Sequence, residues 1–184
     1  MGTGIVDRLK RDYDILDTWV PHEIHPDTPP EGRPMDELFD RFDIDQVTMT
    51  CNRRGEPYGI HFTEMTLLSN SRLALEAAEF ARDAGRYRAF HERMFRACFT
   101  EGRNIGDMNV ILDVAGNSGL DATALTDALA DRRYGQRVED GSRQAREAGV
   151  TAIPTFIIEG QPPVTGAVNE SILREKIQAA MERQ

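Results

Sequence analysis

The pattern of apolar and polar residues in the C-terminal part of the sequence predicts two short strands followed by a helix. A β-branched and aromatic run at residues 155–158 directly follows Pro154 and predicts a short strand. The turn residues 159–163 come next and lead into a second short strand. A closing helix is predicted from about residue 169 to residue 183. The apolar residues that share one face of this helix are Ile172, Leu173, Ile177 and Ala180.

The N-terminal pattern predicts one helix followed by one strand. Ile5, Leu9 and Tyr13 recur with helical spacing, so an amphipathic helix is expected within the first few residues. The apolar run at residues 15–20 then predicts a strand, and Pro21 ends its regular pairing.

Between these regions, from about residue 34 to residue 148, the sequence shows helical periodicity and no convincing strand. Residues 69–71 offer capping oxygens for one helix, and Asp107 and Asp121 offer them for two others. A last long helix is expected over residues 133–148. One further helix carries an aromatic and methionine stripe, typical of a helix–helix core, whose members are Tyr87, Phe90, Met94, Phe95 and Phe99.

Composition and charge narrow the function classes. A chain of 184 residues with 40% hydrophobic content can bury the core of one compact domain. A formal net charge of -9 and a pI near 5.0 argue against nucleic acid or an anionic membrane as partner, because both would repel the chain. No apolar run approaches membrane-spanning length, and the charged residues 7–12 leave no apolar signal core. The expected location is the cytoplasm.

Cysteine and histidine give few candidates for chemistry. Cys51 and Cys98 lie far apart in sequence, and neither belongs to a Cys-x-x-Cys motif, so we expect buried apolar residues rather than catalytic groups or a disulfide. His22 and His25 lack the spacing of the helical metalloprotease motif, and no metal site is predicted. They follow the strand predicted at residues 15–20, at the sheet end where open α/β folds bind ligands. They are therefore candidate binding residues, and solvated loop histidines are the alternative.

Two loops in the C-terminal part are candidate binding elements. A cis bond between Ile153 and Pro154 would leave the preceding backbone groups free for an extended ligand, whereas a trans proline opening an edge strand is the ordinary alternative. Gly166, Ala167 and Asn169 precede the last helix, where backbone N–H groups attract carboxylate or phosphate. A simple helix cap is the alternative there.

Several short motifs occur together in one order along most of the chain. They are Val20-Pro21-His22-Glu23-Ile24-His25-Pro26 with Pro29-Pro30-Glu31-Gly32, Ser69-Asn70-Ser71, Phe99-Thr100-Glu101-Gly102, Gly149-Val150-Thr151 with Ile153-Pro154, and Thr165-Gly166-Ala167. This set resembles the DsbA-like thioredoxin proteins of the FrnE and 2-hydroxychromene-2-carboxylate isomerase type. The resemblance implies an α/β, thioredoxin-like fold with a large all-helical insertion. Residues 1–33 and 149–184 would form the thioredoxin-like domain, and residues 34–148 the inserted helical domain.

The same resemblance implies a strand and a Cys-x-x-Cys motif ahead of the first helix. Members of the family continue from these cysteines with an aromatic residue, a variable residue and Gly, and Met1-Gly2 fits the last two positions. We therefore expect the first strand to be missing, the active cysteines to lie upstream of Met1, and this chain to contain no catalytic residue. The gap in the sheet would be filled by another segment, by a second copy in a homodimer, or by water.

The activity implied by the resemblance is that of a thiol–disulfide oxidoreductase. Its partner would be a thiol or disulfide in a peptide or protein, it would need no cofactor, and Ile153 and Pro154 would face the reacting sulfur. One alternative is a glutathione-dependent 2-hydroxychromene-2-carboxylate isomerase or kappa-class-like transferase, in which Ile153 and residues 166–169 contact glutathione. Another is a non-catalytic peptide-binding or chaperone-like protein that uses the same edge.

Overall fold

The computed structural model describes residues 1–183, with the side chains of all of them except Phe42. They form two compact units. The terminal unit contains Met1–Val20 and the chain from Arg143 onward, and the helical unit is Pro21–Ser142. The domain boundaries predicted from the sequence, at residues 33/34 and 148/149, differ from these divisions and stay a prediction, since compact units need not coincide with domains.

Helices dominate the described residues. The α-helices are α1 (Gly2–Asp12), α2 (Arg41–Gly55), α3 (Arg72–Asp83), α4 (Tyr87–Phe99), α5 (Met108–Asn117), α6 (Ala122–Ala130), α7 (Gly135–Glu147) and α8 (Glu170–Met181). The strands are β1 (Arg33–Pro34), β2 (Leu67–Leu68), β3 (Thr155–Phe156) and β4 (Val164–Thr165), and they form two separate antiparallel pairs, β1 with β2 and β3 with β4. Within residues 1–183, no helix is both long and apolar enough to cross a bilayer.

The terminal unit confirms the predicted hairpin and closing helix. Thr155 lies opposite Thr165 in the hairpin of β3 and β4. Helix α8 begins directly after Asn169, which is its N-cap. The predicted first helix is also confirmed as α1.

Helices α1 and α8 form the core of the terminal unit. Ile5 and Leu9 of α1 are 1% and 3% exposed, and Leu173 of α8 is 1% exposed. At the edge of this contact the guanidinium of Arg174 lies 2.6 Å from the carboxylate of Asp12. Ile172, which was predicted to share the buried face, is 41% exposed. Adjacent helical residues point about 100° apart, so Ile172 cannot share the centre of the face with Leu173.

Residues 15–20 do not form the predicted strand. Among the described residues β3 pairs with β4, and residues 15–20 join neither strand pair. Leu16 is 96% exposed and Val20 is 50% exposed. An apolar run forms a strand only where a neighbouring strand supplies backbone hydrogen-bonding partners. The apolar content of the run does not supply such a neighbour.

The helical unit has a core made by α3, α4, α5 and α6. Alanines on α3 allow the other helices to approach its backbone closely, and the larger side chains come from the other three helices and from Leu120, which lies between α5 and α6. The buried cluster contains Ala74, Ala77, Ala78, Ala81, Phe90, Met94, Ala97, Ile111, Val114, Ala115, Leu120, Leu125 and Leu129. The predicted aromatic and methionine stripe lies on α4. Phe90 and Met94 of this stripe are buried in the core, whereas Phe95 is 45% exposed.

One strand pair lies in the region where no strand was predicted. Arg33 pairs with Leu68 and Pro34 with Leu67, which gives a ladder of two residues on each side. A ladder this short shows no alternating pattern in the sequence. Gly32 precedes it with φ of +85°, and a Cβ there would lie 2.9 Å from the carbonyl oxygen of Leu68. The close approach therefore requires glycine.

The predicted helix caps are confirmed. The Asp107 carboxylate accepts a hydrogen bond from the amide of Asn109 at 2.8 Å. The Asp121 carboxylate accepts hydrogen bonds from the amides of Thr123 and Ala124 at 2.9 and 3.0 Å. In the segment 69–71, the capping oxygen belongs to Asn70, which accepts from the amide of Arg72 at 2.9 Å.

Asp121→Ala is expected to lower the free energy of unfolding by about 1 kcal/mol, because two amides of α6 lose their hydrogen-bond acceptor. Asp127→Ala is the matched control, since Asp127 is exposed in the same helix and does not cap it. Its replacement should change stability by less than about 0.5 kcal/mol. Urea titration followed by circular dichroism measures both values. Equal losses in the two variants would show that the cap contributes nothing specific.

Candidate functional site

The N-terminus of α1 lies against Pro154 within the terminal unit. A Cβ built on Gly2 would lie 3.3 Å from Cβ and 3.5 Å from Cγ of Pro154, and 3.8 Å from Cη2 of Trp19. The N-cap residue is Met1, its side chain makes no capping hydrogen bond, and the first turn contains no acidic residue. The first-turn N–H groups of a helix without a side-chain cap stabilise a negative charge that lies close to them. An anionic sulfur or oxygen beside Pro154 would benefit from this field.

The structure brings together three of the candidate binding residues, Ile153, Pro154 and Gly166. The Ile153–Pro154 peptide bond is cis. The amide of Gly166 donates a hydrogen bond to the carbonyl oxygen of Pro154 at 2.7 Å. Gly166 has φ of +90°, which favours glycine. Ile153 is 60% exposed beside this turn.

The turn that leads into α8 forms a helix cap. Asn169 Oδ1 accepts hydrogen bonds from the amide and the hydroxyl of Ser171, both at 3.0 Å. Glu170 adds a carboxylate to the first turn and lies 3.0 Å from the guanidinium of Arg174 and 3.5 Å from that of Arg8. The positive end of the helix already faces a side-chain oxygen and a carboxylate, which disfavours a further anion. Ala167 lies partly buried between Gly166 and Asn169.

Sequence reasoning missed two residues of this site, Gly2 and Trp19. The indole N–H of Trp19 donates to the carboxylate of Asp17 at 2.6 Å, and Asp17 also forms an ion pair with Lys10. Burial raises the pKa of Asp17, but the hydrogen bonds from Lys10 and Trp19 outweigh burial and hold it below its usual value. One feature of the sequence could have indicated Trp19: it is the single tryptophan of the chain and lies shortly after the predicted first helix.

His22 and His25 belong to the helical unit, whereas Pro154 belongs to the terminal unit. The loop that carries them is held by Glu23, which is 6% exposed. The Glu23 carboxylate lies 2.7 Å from the guanidinium of Arg72, and its amide donates to Ser142 Oγ at 3.1 Å. His22 is partly buried and His25 is exposed. Among the described residues, no three His, Cys, Asp or Glu side chains are arranged to hold a metal ion.

Cys51 and Cys98 are free thiols on α2 and α4 of the helical unit. Burial raises the pKa of Cys98 to about 11. At neutral pH Cys98 is therefore a thiol rather than a thiolate, and it is a poor nucleophile.

The sequence matches a known protein family over nearly its whole length. The family model described as a DSBA-like thioredoxin domain matches residues 2–178. The chain belongs to this family.

This DSBA-like chain is also similar to a bacterial protein and to solved structures. The uncharacterized protein YwbO of Bacillus subtilis (strain 168) is 28% identical over 182 residues, which is 96% of this chain and 88% of that protein. The crystal structure of a probable DsbA oxidoreductase from Streptomyces coelicolor matches with a TM-score of 0.87 at 18% identity, covering 100% of this chain and 82% of that one. A structure of a 2-hydroxychromene-2-carboxylate isomerase matches with a TM-score of 0.75 at 18% identity, covering 98% of this chain and 86% of that one. The predicted thioredoxin-like fold class is thereby confirmed.

Proposed function

We propose that this DSBA-like chain belongs to a thiol–disulfide oxidoreductase whose reacting sulfur acts at the N-terminus of α1. The observation that carries this function is the close approach of Gly2 to Pro154 at a helix N-terminus without a side-chain cap. A thiolate at such a position has a pKa below the ordinary value of about 8.5, because the first-turn N–H groups stabilise its charge.

The reacting cysteines would lie outside residues 1–184. Met1 and Gly2 contain no thiol, and neither Cys51 nor Cys98 belongs to a Cys-x-x-Cys motif. The Cys-x-x-Cys motif implied by the family resemblance would precede Met1. The chain as given would then bind substrate without exchanging disulfides.

The chemistry is thiol–disulfide exchange with a peptide or protein. One thiolate attacks a sulfur of the substrate disulfide, the other substrate sulfur leaves as a thiolate, and a mixed disulfide forms. The second cysteine of the motif, as thiolate, displaces the bound sulfur, so the substrate gains two electrons and the enzyme becomes a disulfide. The reverse sequence oxidises a dithiol. The edge formed by exposed Ile153 and partly buried Pro154 would hold the substrate backbone beside the sulfur.

Glutathione is a weaker candidate for the substrate or cofactor. Its carboxylates would need a positive site, and the N-terminus of α8 already faces the oxygen of Asn169 and the carboxylate of Glu170. The similarity to the isomerase, at 18% identity, supports the fold and carries no activity to this chain.

Residues 1–184 are expected to show no catalysis of insulin reduction by dithiothreitol above background, and the Cys51→Ser/Cys98→Ser variant should behave identically. Protein isolated from its native source should contain two thiols besides Cys51 and Cys98 and should catalyse the reaction. Intact mass, a thiol titration and insulin turbidity measure these outcomes. Reduction by residues 1–184 that disappears in the double variant would overturn the assignment. If the native protein has no cysteines besides Cys51 and Cys98, two alternatives remain. Glutathione-dependent conjugation or isomerisation would favour the isomerase or transferase, and peptide binding without such activity would favour a binding protein.

A further inference from the structure

The indole ring of Trp19 is held in place by its polar atom. Its N–H donates to the Asp17 carboxylate at 2.6 Å, and Asp17 also forms an ion pair with Lys10 of α1. Residues 13–20 alternate between partly buried and exposed, so Asp17 and Trp19 lie on the same, partly buried side of this segment. The hydrogen bond and the ion pair therefore tie the indole to α1.

The six-membered ring of Trp19 lies beside the N-terminus of α1. Its Cη2, whose bonded neighbours are carbons, is 3.8 Å from a Cβ built on Gly2. Cβ of Pro154 is 3.3 Å from the same point. Helix α1 begins at Gly2, so Trp19 and Pro154 both border its first turn.

This part of the site offers a ligand apolar contacts. The single N–H of the indole is engaged by Asp17, so the ring presents carbon surface rather than a hydrogen-bond donor. Ile153, which precedes Pro154, is 60% exposed and adds an apolar side chain. A substrate side chain that lies against this carbon surface gains affinity if it is apolar, whereas a charged one would lose contacts with water.

We propose that Trp19 is a specificity-determining residue that selects peptides with a bulky apolar side chain next to the reacting cysteine. This role rests on the function proposed above, in which the reacting sulfur lies at the N-terminus of α1 and the substrate backbone lies along Ile153 and Pro154. The residue next to the substrate cysteine then contacts the six-membered ring of Trp19. Asp17 is a positioning residue, because it acts by holding the indole in this orientation.

Binding of two short, uncharged peptides to residues 1–184 tests this specificity. Both carry a central S-methylated cysteine, which cannot exchange disulfides, and the residue beside it is leucine in one peptide and serine in the other. The leucine peptide should bind about tenfold more tightly, because one more apolar side chain leaves water. Trp19 is the single tryptophan of the chain, so its fluorescence reports the contact. Its emission should shift to shorter wavelength with the leucine peptide.

Calorimetric titration of variants with both peptides separates a specific contact from a loss of structure. Trp19→Ala should bring the ratio of the two affinities close to one, whereas damage to the fold alone would weaken both peptides equally. Asp17→Ala should lower the ratio, and Asp17→Asn, whose amide oxygen can still accept from the indole, should restore most of it. Leu16→Ala is the matched control and should keep the full ratio, because Leu16 is 96% exposed on the opposite side of the segment.

Three results would overturn the specificity role of Trp19: equal affinities of the wild type for the two peptides, no binding of either peptide, or a full ratio in Trp19→Ala. A full ratio in Asp17→Ala would overturn the positioning role of Asp17. The redox function is decided separately, by the thiol count and insulin reduction of the native protein. Native protein without further thiols would refute that function and leave a measured peptide preference in place.

Discussion

Replacing Gly141 with alanine is expected to destabilise the helical unit by about 2 kcal/mol or more. A Cβ at this position of α7 would lie 2.6 Å from the carbonyl oxygen of Pro21, 2.8 Å from its Cγ and 3.0 Å from its Cδ. The carbonyl and the proline ring are rigid, so backbone must move to relieve the overlap. Alanine is preferred over glycine in a helix by about 1 kcal/mol, but overpacking typically costs about 1–3 kcal/mol and more where backbone is the obstacle. The cost of the clash therefore exceeds the gain in helix preference, and the net effect on stability is a loss.

Gly116 in α5 provides the matched control for Gly141. It also lies in a helix, but beyond its chain neighbours and the backbone of its own helix no heavy atom comes within 4 Å of a Cβ built there. Gly116→Ala should therefore raise stability by up to about 1 kcal/mol through helix preference. Thermal unfolding followed at 222 nm, a standard helix signal, should give midpoint shifts of opposite sign for the two variants. A Gly141→Ala protein as stable as Gly116→Ala would mean that α7 does not approach Pro21 closely.

Local signals explain the parts of the fold that the sequence predicted. The caps at Asp107 and Asp121 and the hairpin after Pro154 are set by residues within a few positions of one another, and the structure contains each of them. The strand predicted at residues 15–20 failed because a strand depends on a neighbour, and hydrophobic content does not specify one. The β1–β2 pair was missed for the related reason that two paired residues leave no pattern.

In the candidate site too, features set by local sequence were predicted, and contacts between distant parts of the chain were not. Ile153, Pro154 and Gly166 were found from one proline and one glycine turn, and the hydrogen bond from Gly166 to Pro154 joins them. Gly2 was missed because its contact with Pro154 spans most of the chain, and a single sequence contains no signal for such a contact. Trp19 was missed with it, since Trp19 joins the site through its contact with Gly2. His22 and His25 were chosen because they follow a predicted strand. Since that strand is not formed, the reason for choosing them is lost.

His91 of α4 lies inside a column of aromatic rings. Its ring centroid is 5.2 Å from that of Tyr87, which stacks on it, and 4.4 Å from that of Phe95. The guanidinium of Arg82 lies 3.9 Å from the centroid of the Tyr87 ring. Burial, and after it the positive charge of Arg82, lower the pKa of His91 from 6.5 to about 4. The imidazole is therefore neutral at neutral pH, and protonating it opposes the fold.

The stability of the helical unit is expected to fall as pH falls from about 6.5 to about 4, because between these values the unfolded chain binds a proton at His91 that the folded chain does not. The loss is up to about 1.4 kcal/mol per pH unit, hence at most about 3 kcal/mol, and solvent at the partly exposed ring reduces it. The variant His91→Phe keeps the ring column and removes the titration. Urea titrations from about pH 7.5 to pH 4, a range that spans both pKa values, should therefore show wild type losing stability relative to this variant. His25→Gln replaces an exposed histidine and should follow the wild-type curve. Parallel curves for wild type and His91→Phe would mean that His91 titrates alike in the folded and unfolded chains.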